Sequence, residues 1–167
     1  EEESFRRDVV AAMVAIEIGA AESAEVHPGA AELLQKLQEH GVRVGIVTRN
    51  CRAAVEHILN RNPLIHDVLL TRDDVEAVKP DPEHLLAALR MLGIEPQHTV
   101  MVGDHPMDVR AGRLVGAQTV AVLTGYSPAE HFSPEEPDLI LEQVGELMEY
   151  LEISYHRDTE GAESYSG

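Results

Sequence analysis

Between Thr99 and Gly112 the chain reads TVMVGDHPMDVRAG, and no other stretch narrows the possible folds as far. Val100-Met101-Val102 is a short apolar run without alternation, the pattern of a strand buried on both faces in a helix-covered parallel sheet. Gly103 ends the run, and Pro106 suits the first turn of a helix continuing through Val109, Ala111 and Leu114. Asp104 then falls at the carboxyl end of the strand and Asp108 in the first turn of the helix. Both border the crevice where open α/β sheets place their ligands. Two carboxylates there suit a hard, oxygen-loving cation, most naturally Mg²⁺. The plainer reading is a helix cap and a solvated first-turn acid.

The rest of the chain alternates strand and helix around that unit. Phe5 to Ala21 is Ala-rich, with Val9, Val10, Met13, Val14 and Ile16 spaced for a helix, although Met13 to Ile18 is β-branched enough for a strand. Pro28 opens a helix from Ala30 to His40, with Leu33, Leu34 and Leu37 as its buried stripe and Gly41 as its stop. A strand is predicted at Val42 to Thr48, followed by a helix capped by Asn50 and running to Leu59. Val68 to Leu70 is a brief strand, Arg72 to Lys79 a polar loop, and Glu83 to Leu92 a helix closed by Gly93. Beyond the central unit come a strand at Thr119 to Leu123, a proline-bearing loop, an edge strand at Asp138 to Leu141 and a helix at Val144 to Leu151. Ser154 to Gly167 has no apolar period and is predicted to be a mobile polar tail. The pattern predicts an α/β domain with a doubly wound parallel sheet and right-handed crossovers.

At 167 residues with 44% hydrophobic content, the chain has the material for one domain with a real core. Its formal net charge of -17 argues against nucleic acid or an anionic membrane surface as partner. A single cysteine, Cys51, forms no internal disulfide. Glu1-Glu2-Glu3 is the opposite of a basic signal-peptide start, and no apolar run is long enough to span a bilayer. The expectation is a soluble, cytoplasmic protein, with its oligomeric state open.

Three places follow one logic, a polar group at or just beyond the carboxyl end of a strand. Thr48 ends the first strand, with Arg49 and Asn50 leading into a helix N-terminus, where a hydroxyl beside free amides is a natural oxyanion contact. Lys79 lies in the loop before Pro80-Asp81-Pro82 and supplies a point charge for a phosphate or carboxylate. Asp104 and Asp108 make the third. Together these are the parts for stabilising a transferring phosphoryl group.

In this order the motifs resemble those of the haloacid dehalogenase superfamily, mostly Mg²⁺-dependent phosphatases of Rossmann-type fold. Its second motif is a strand ending in Thr or Ser (IVT, Thr48), its third a basic residue often in Lys-Pro (VKPDP, Lys79). Its fourth is an acidic pair (GDHPMD, Asp104 and Asp108). HPGAAELL and AGRLVGAQTVAVLTG look most similar to the phosphoglycolate-phosphatase-like branch. The resemblance implies a small phosphorylated substrate, bound by Thr48, Arg49, Asn50 and Lys79. It makes Thr48 and Lys79 catalytic, and Asp104 and Asp108 ligands of a Mg²⁺ cofactor.

One motif is missing. The family's first strand ends in Asp-x-Asp-Gly-Thr, which carries the aspartate nucleophile, and residues 1–167 contain no such sequence. Glu17 in VAIEIGA is the only candidate near the N-terminus, and it lacks the second acid and the Gly-Thr. Residues 1–25 resemble instead the small helical cap that follows that motif, with 26–153 as the α/β core, and the chain is expected to begin downstream of its nucleophile. A catalytically inactive module that binds a phosphorylated ligand or partner protein is the alternative. In the family the absent strand lies mid-sheet. Val44 to Val47 and Val100 to Val102 are then expected about 10 Å apart, unless they pair directly.

Overall fold

The computed structural model describes residues 2–151. The expected tail, and with it the end of the 26–153 core, lie outside the described residues. Among the described residues helices and strands follow in the order α1 (Glu2–Ala21), α2 (Ala30–Glu39), β1 (Gly45–Val47), α3 (Arg52–Arg61), β2 (Val68–Leu70), α4 (Pro82–Leu92), β3 (Val100–Gly103), α5 (Pro106–Val115), β4 (Gln118–Val122), α6 (Ala129–Phe132) and β5 (Leu139–Leu141). Residues 144–146 form a 3-10 turn and 147–151 are helical, so the predicted last helix is 3-10 where it begins.

All strand pairs are parallel, as the alternation requires. They lie in two separate sheets, β1-β2 and β3-β4-β5. The direct pairing of β1 with β3 does not occur. Exposure follows the ladder: β4, flanked on both sides, is buried at four of its five residues, whereas β1 is exposed or half-buried throughout. The two sheets are joined by α4. Leu85 and Leu89 on this helix pack against Met101 of β3 and Val47 of β1, while Ala88 packs against Val68 and Leu70 of β2.

The doubly wound character is clearest at β4, where successive side chains take opposite faces. Val120 and Val122 pack with Leu33 of α2 and Leu147. Ala121 packs with Val109 of α5 and with Phe132. Thr119, on the same side as Ala121, is fully buried and tied to Asp138, whose Oδ2 accepts from Thr119 N at 2.7 Å and from Thr119 Oγ1 at 2.8 Å. These hydrogen bonds hold the Asp138 carboxyl below its usual pKa.

Two expectations are corrected here. The strand predicted at Val42 to Thr48 spans only Gly45–Val47, because β2, its ladder partner among the described residues, is three residues long. Below that, Val44 N donates to the Asp67 carboxylate rather than to a neighbouring strand. Asn50 does not cap α3. Cys51 holds the N-cap position, extended and 2% exposed. The two amides at that helix start are taken by distant carboxylates, Cys51 N by Glu17 Oε2 at 2.7 Å and Arg52 N by Asp73 Oδ2 at 2.8 Å.

Candidate functional site

The strand ends bring the sequence-predicted residues to one side of the molecule. Lys79 joins them. Its ammonium donates to Val47 O at 2.7 Å, the last carbonyl of β1 before Thr48, and lies 2.7 Å from Asp108 Oδ1 in the first turn of α5. Lys79 and Asp108 are both buried, at 7% and 6% exposure. An ammonium so far from water requires such partners, since an isolated buried charge is costly.

His84, in the first turn of α4, anchors the lysine from below. It is fully buried, and its Nδ1 accepts from Lys79 N at 3.4 Å. Burial, with the Lys79 charge adding to it, pushes the His84 pKa below its usual value, which favours the neutral ring that can accept at Nδ1. Sequence reasoning missed this residue. The only signal was a histidine two residues after Pro82, where the helix's inner face begins.

Asp108 has a second duty. Its Oδ2 accepts from His105 N at 3.2 Å, while His105 Nδ1 accepts from Met107 N at 3.2 Å, a reciprocal cap on α5. His105 is thus a capping residue with an exposed ring. Asp104 is exposed at the end of β3. Two glycines make room for the acids. A Cβ on Gly103 would stand 2.3 Å from Asp108 Cβ, and one on Gly125 would stand 2.3 Å from Asp104 Oδ2.

Thr48 is half-buried at the end of β1, where its backbone N–H donates to Leu70 O and its Oγ1 accepts from Asn50 N at 3.2 Å. Asn50 is exposed and enters the network through its backbone. Its carbonyl accepts from Arg72 N at 3.3 Å. The Arg72 guanidinium donates to Arg49 O at 3.3 Å and pairs with Glu17 of α1. Glu17 is therefore a mid-helix residue that braces the Thr48–Cys51 turn, and its place on α1 rules out the strand-end nucleophile reading. Burial works against its ionisation, but the Cys51 amide and Arg72 outweigh it and hold its pKa low. Arg49 itself is exposed, with Nη1 2.8 Å from Met107 Sδ.

Among the described residues no group of three or more His, Cys, Asp or Glu side chains is arranged to hold a metal. What the site offers is two carboxylates, Asp104 and Asp108. Each Asp108 oxygen keeps a spare lone pair, and Asp104 is open to solvent. Such a donor set fits a Mg²⁺ that retains most of its waters and does not fit zinc.

Parallel strands, a threonine and a lysine at strand ends, and an acid pair opening a helix define a class. Residues 3–122 match the haloacid dehalogenase-like hydrolase family, and the chain belongs to it. It is 38% identical over 122 residues to the pyrophosphatase PpaX of Bacillus mycoides, covering 72% of this chain and 57% of that relative. In fold it is similar to a phosphatase of that family from Thermococcus onnurineus, with TM-score 0.67 and 32% identity over 76% of this chain and 58% of the other. It is also similar to CbbY from Rhodobacter sphaeroides in complex with phosphate, with TM-score 0.69 and 26% identity over 78% and 60%. The chain thus spans just over half the length of these relatives. No described helix is long and apolar enough to cross a membrane.

Proposed function

We propose that this chain supplies the phosphoryl-binding side of a Mg²⁺-dependent hydrolase acting on a small phosphomonoester or a diphosphate. The observation that carries this reading is Lys79, whose ammonium bonds at once to the β1 end that bears Thr48 and to Asp108. Three motifs far apart in sequence thereby meet at one charge.

In this reading the Thr48 hydroxyl binds a phosphoryl oxygen, the amides of Asn50, Cys51 and Arg52 being held by Thr48 Oγ1, Glu17 and Asp73. Lys79 offsets the negative charge of the phosphoryl group and keeps Asp108 in place. Asp104, with Asp108 behind it, holds Mg²⁺, which supplies positive charge at the phosphoryl oxygens when bound. The nucleophile implied by the family is an aspartate. Its carboxylate oxygen forms a bond to phosphorus as the ester oxygen leaves, and water then releases phosphate from the aspartyl-phosphate. Residues 1–167 hold no Asp-x-Asp-Gly-Thr sequence, so the chain's own residues are assigned to binding and charge. The likeness to a pyrophosphatase supports a diphosphate among the substrates.

The test is turnover of a chromogenic phosphomonoester with Mg²⁺ by the gene's protein product, beside its Asp104→Asn variant. Mg²⁺-dependent turnover that the variant loses supports the enzyme. Turnover near wild type in Asp104→Asn overturns the assignment of Asp104. Phosphate binding without turnover supports a ligand-binding module instead.

A further inference from the structure

The molecule carries a formal charge of -17, and most of its arginines are consumed by that excess of acid. Arg43 pairs with Asp67, Arg52 with Asp74, Arg72 with Glu17, Arg90 with Glu83 and Arg113 with Glu136. Arg49 stands apart. Among the described residues no carboxylate pairs with it, and the one partner of its guanidinium is the Met107 thioether. A thioether is a weak acceptor and leaves most of the five donors of a guanidinium unused.

The location of this cation is specific. Arg49 follows Thr48, and Met107 precedes Asp108, so the side chain reaches from the β1 end to the α5 start. Its backbone is fixed by Arg72, through the Arg49 carbonyl and the Asn50 carbonyl, while its tip is exposed. A planar fork on a fixed stem beside the phosphoryl-binding groups is suited to a second oxyanion, which it grips with two parallel hydrogen bonds.

We propose that Arg49 is a specificity-determining residue that binds a second anionic group of the substrate, so that the site favours ligands with two oxyanions. This rests on the phosphoryl-binding reading of Thr48, Lys79 and Asp104. The second group is a further phosphoryl unit, as in a diphosphate, or a carboxylate. The guanidinium leaves Met107 for the better acceptor when such a ligand arrives.

The experiment measures binding of three inert probes to the full chain at fixed free Mg²⁺: methylphosphonate with one oxyanion, methylenediphosphonate with two, and phosphonoacetate with a carboxylate as the second. Wild type is expected to bind one or both of the two-headed probes more tightly than methylphosphonate. Arg49→Gln should weaken the favoured probe about ten- to a hundredfold and leave methylphosphonate within about threefold. Arg49→Lys, which keeps the charge and loses the fork, should fall between. Which of the two-headed probes responds tells a phosphoryl group from a carboxylate. Equal weakening of all three probes by Arg49→Gln, or no weakening of either two-headed probe, overturns the proposal. Thr48→Val separates the two readings, since it should weaken every probe alike. If methylphosphonate binding survives Thr48→Val while the two-headed preference still depends on Arg49, the phosphoryl assignment fails and the Arg49 assignment stands. If no probe binds, both fall together.

Discussion

Lys79 Nζ lies 2.7 Å from Asp108 Oδ1, with each side chain 8% exposed, across 29 positions of sequence from one loop to the start of α5. Removing either partner strands the other's charge away from water, at a cost of about 3–5 kcal/mol. Lys79→Met and Asp108→Asn should each lower the denaturant midpoint at unchanged slope, and the double variant should lose less than the sum. Strict additivity would show that the two charges do not depend on each other.

Asp74 gives a pH dependence of defined sign. Burial disfavours its charge, but hydrogen bonds from Arg52 and from Thr71 N and Oγ1 outweigh that and lower the pKa from 3.8 to about 2. A depressed carboxyl stabilises the fold above its unfolded pKa, and the contribution is lost as pH falls through the folded value. The contribution is therefore complete above about pH 4 and fades towards pH 2, worth on the order of 1–2 kcal/mol after allowance for partial exposure. Asp74→Asn should flatten that part of the acid-denaturation curve and lower stability at neutral pH. A variant with the wild-type acid limb would contradict the assignment.

Gly125 tests the place of Asp104. A methyl group at this position would meet the Asp104 carboxylate at 2.3 Å and must push it aside. Gly125→Ala should weaken Mg²⁺ binding about tenfold or more while the thermal midpoint moves by only a few degrees, since Asp104 is exposed. Unaltered Mg²⁺ affinity would show that this carboxylate is not a ligand.

Phe132 tests the face of the sheet that carries α5. It is fully buried against Val109 and Ala121, and Phe132→Ala should cost about 3–5 kcal/mol in unfolding free energy. A loss below about 1 kcal/mol would mean that the α6 segment is not part of the core.

That residue also marks a limit of sequence reading. Between Gly125 and Pro137 the prolines signal a loop, and a lone phenylalanine there has no period to reveal its burial. Local signals were reliable where they were complete. Val68-Leu70 is the strand expected, Pro106 is the first residue of α5, and Gly93 closes α4 with positive φ. Asp81 caps α4 by accepting from Glu83 N, just ahead of the predicted helix start. Order along the chain placed Lys79 and Asp108 in motifs that the fold brings into contact, with Lys79 also bonding Val47 O, next to Thr48. What could not be read were pairings of long range. The length of β1 is set by β2, the cap of α3 by Glu17 on α1, and the anchoring of Lys79 by His84. None of these leaves a pattern in the residues nearby.

Thr48, Lys79 and Asp104 are proposed to act as one Mg²⁺-assisted phosphoryl site. Calorimetric titration of inorganic phosphate into the chain, with and without Mg²⁺, tests it most directly in wild type, Thr48→Val and Asp104→Asn. Mg²⁺-dependent binding in wild type, weakened about tenfold or more in both variants with the fold retained, is the result predicted. Phosphate affinity that is indifferent to Mg²⁺ and unchanged by either substitution would contradict it.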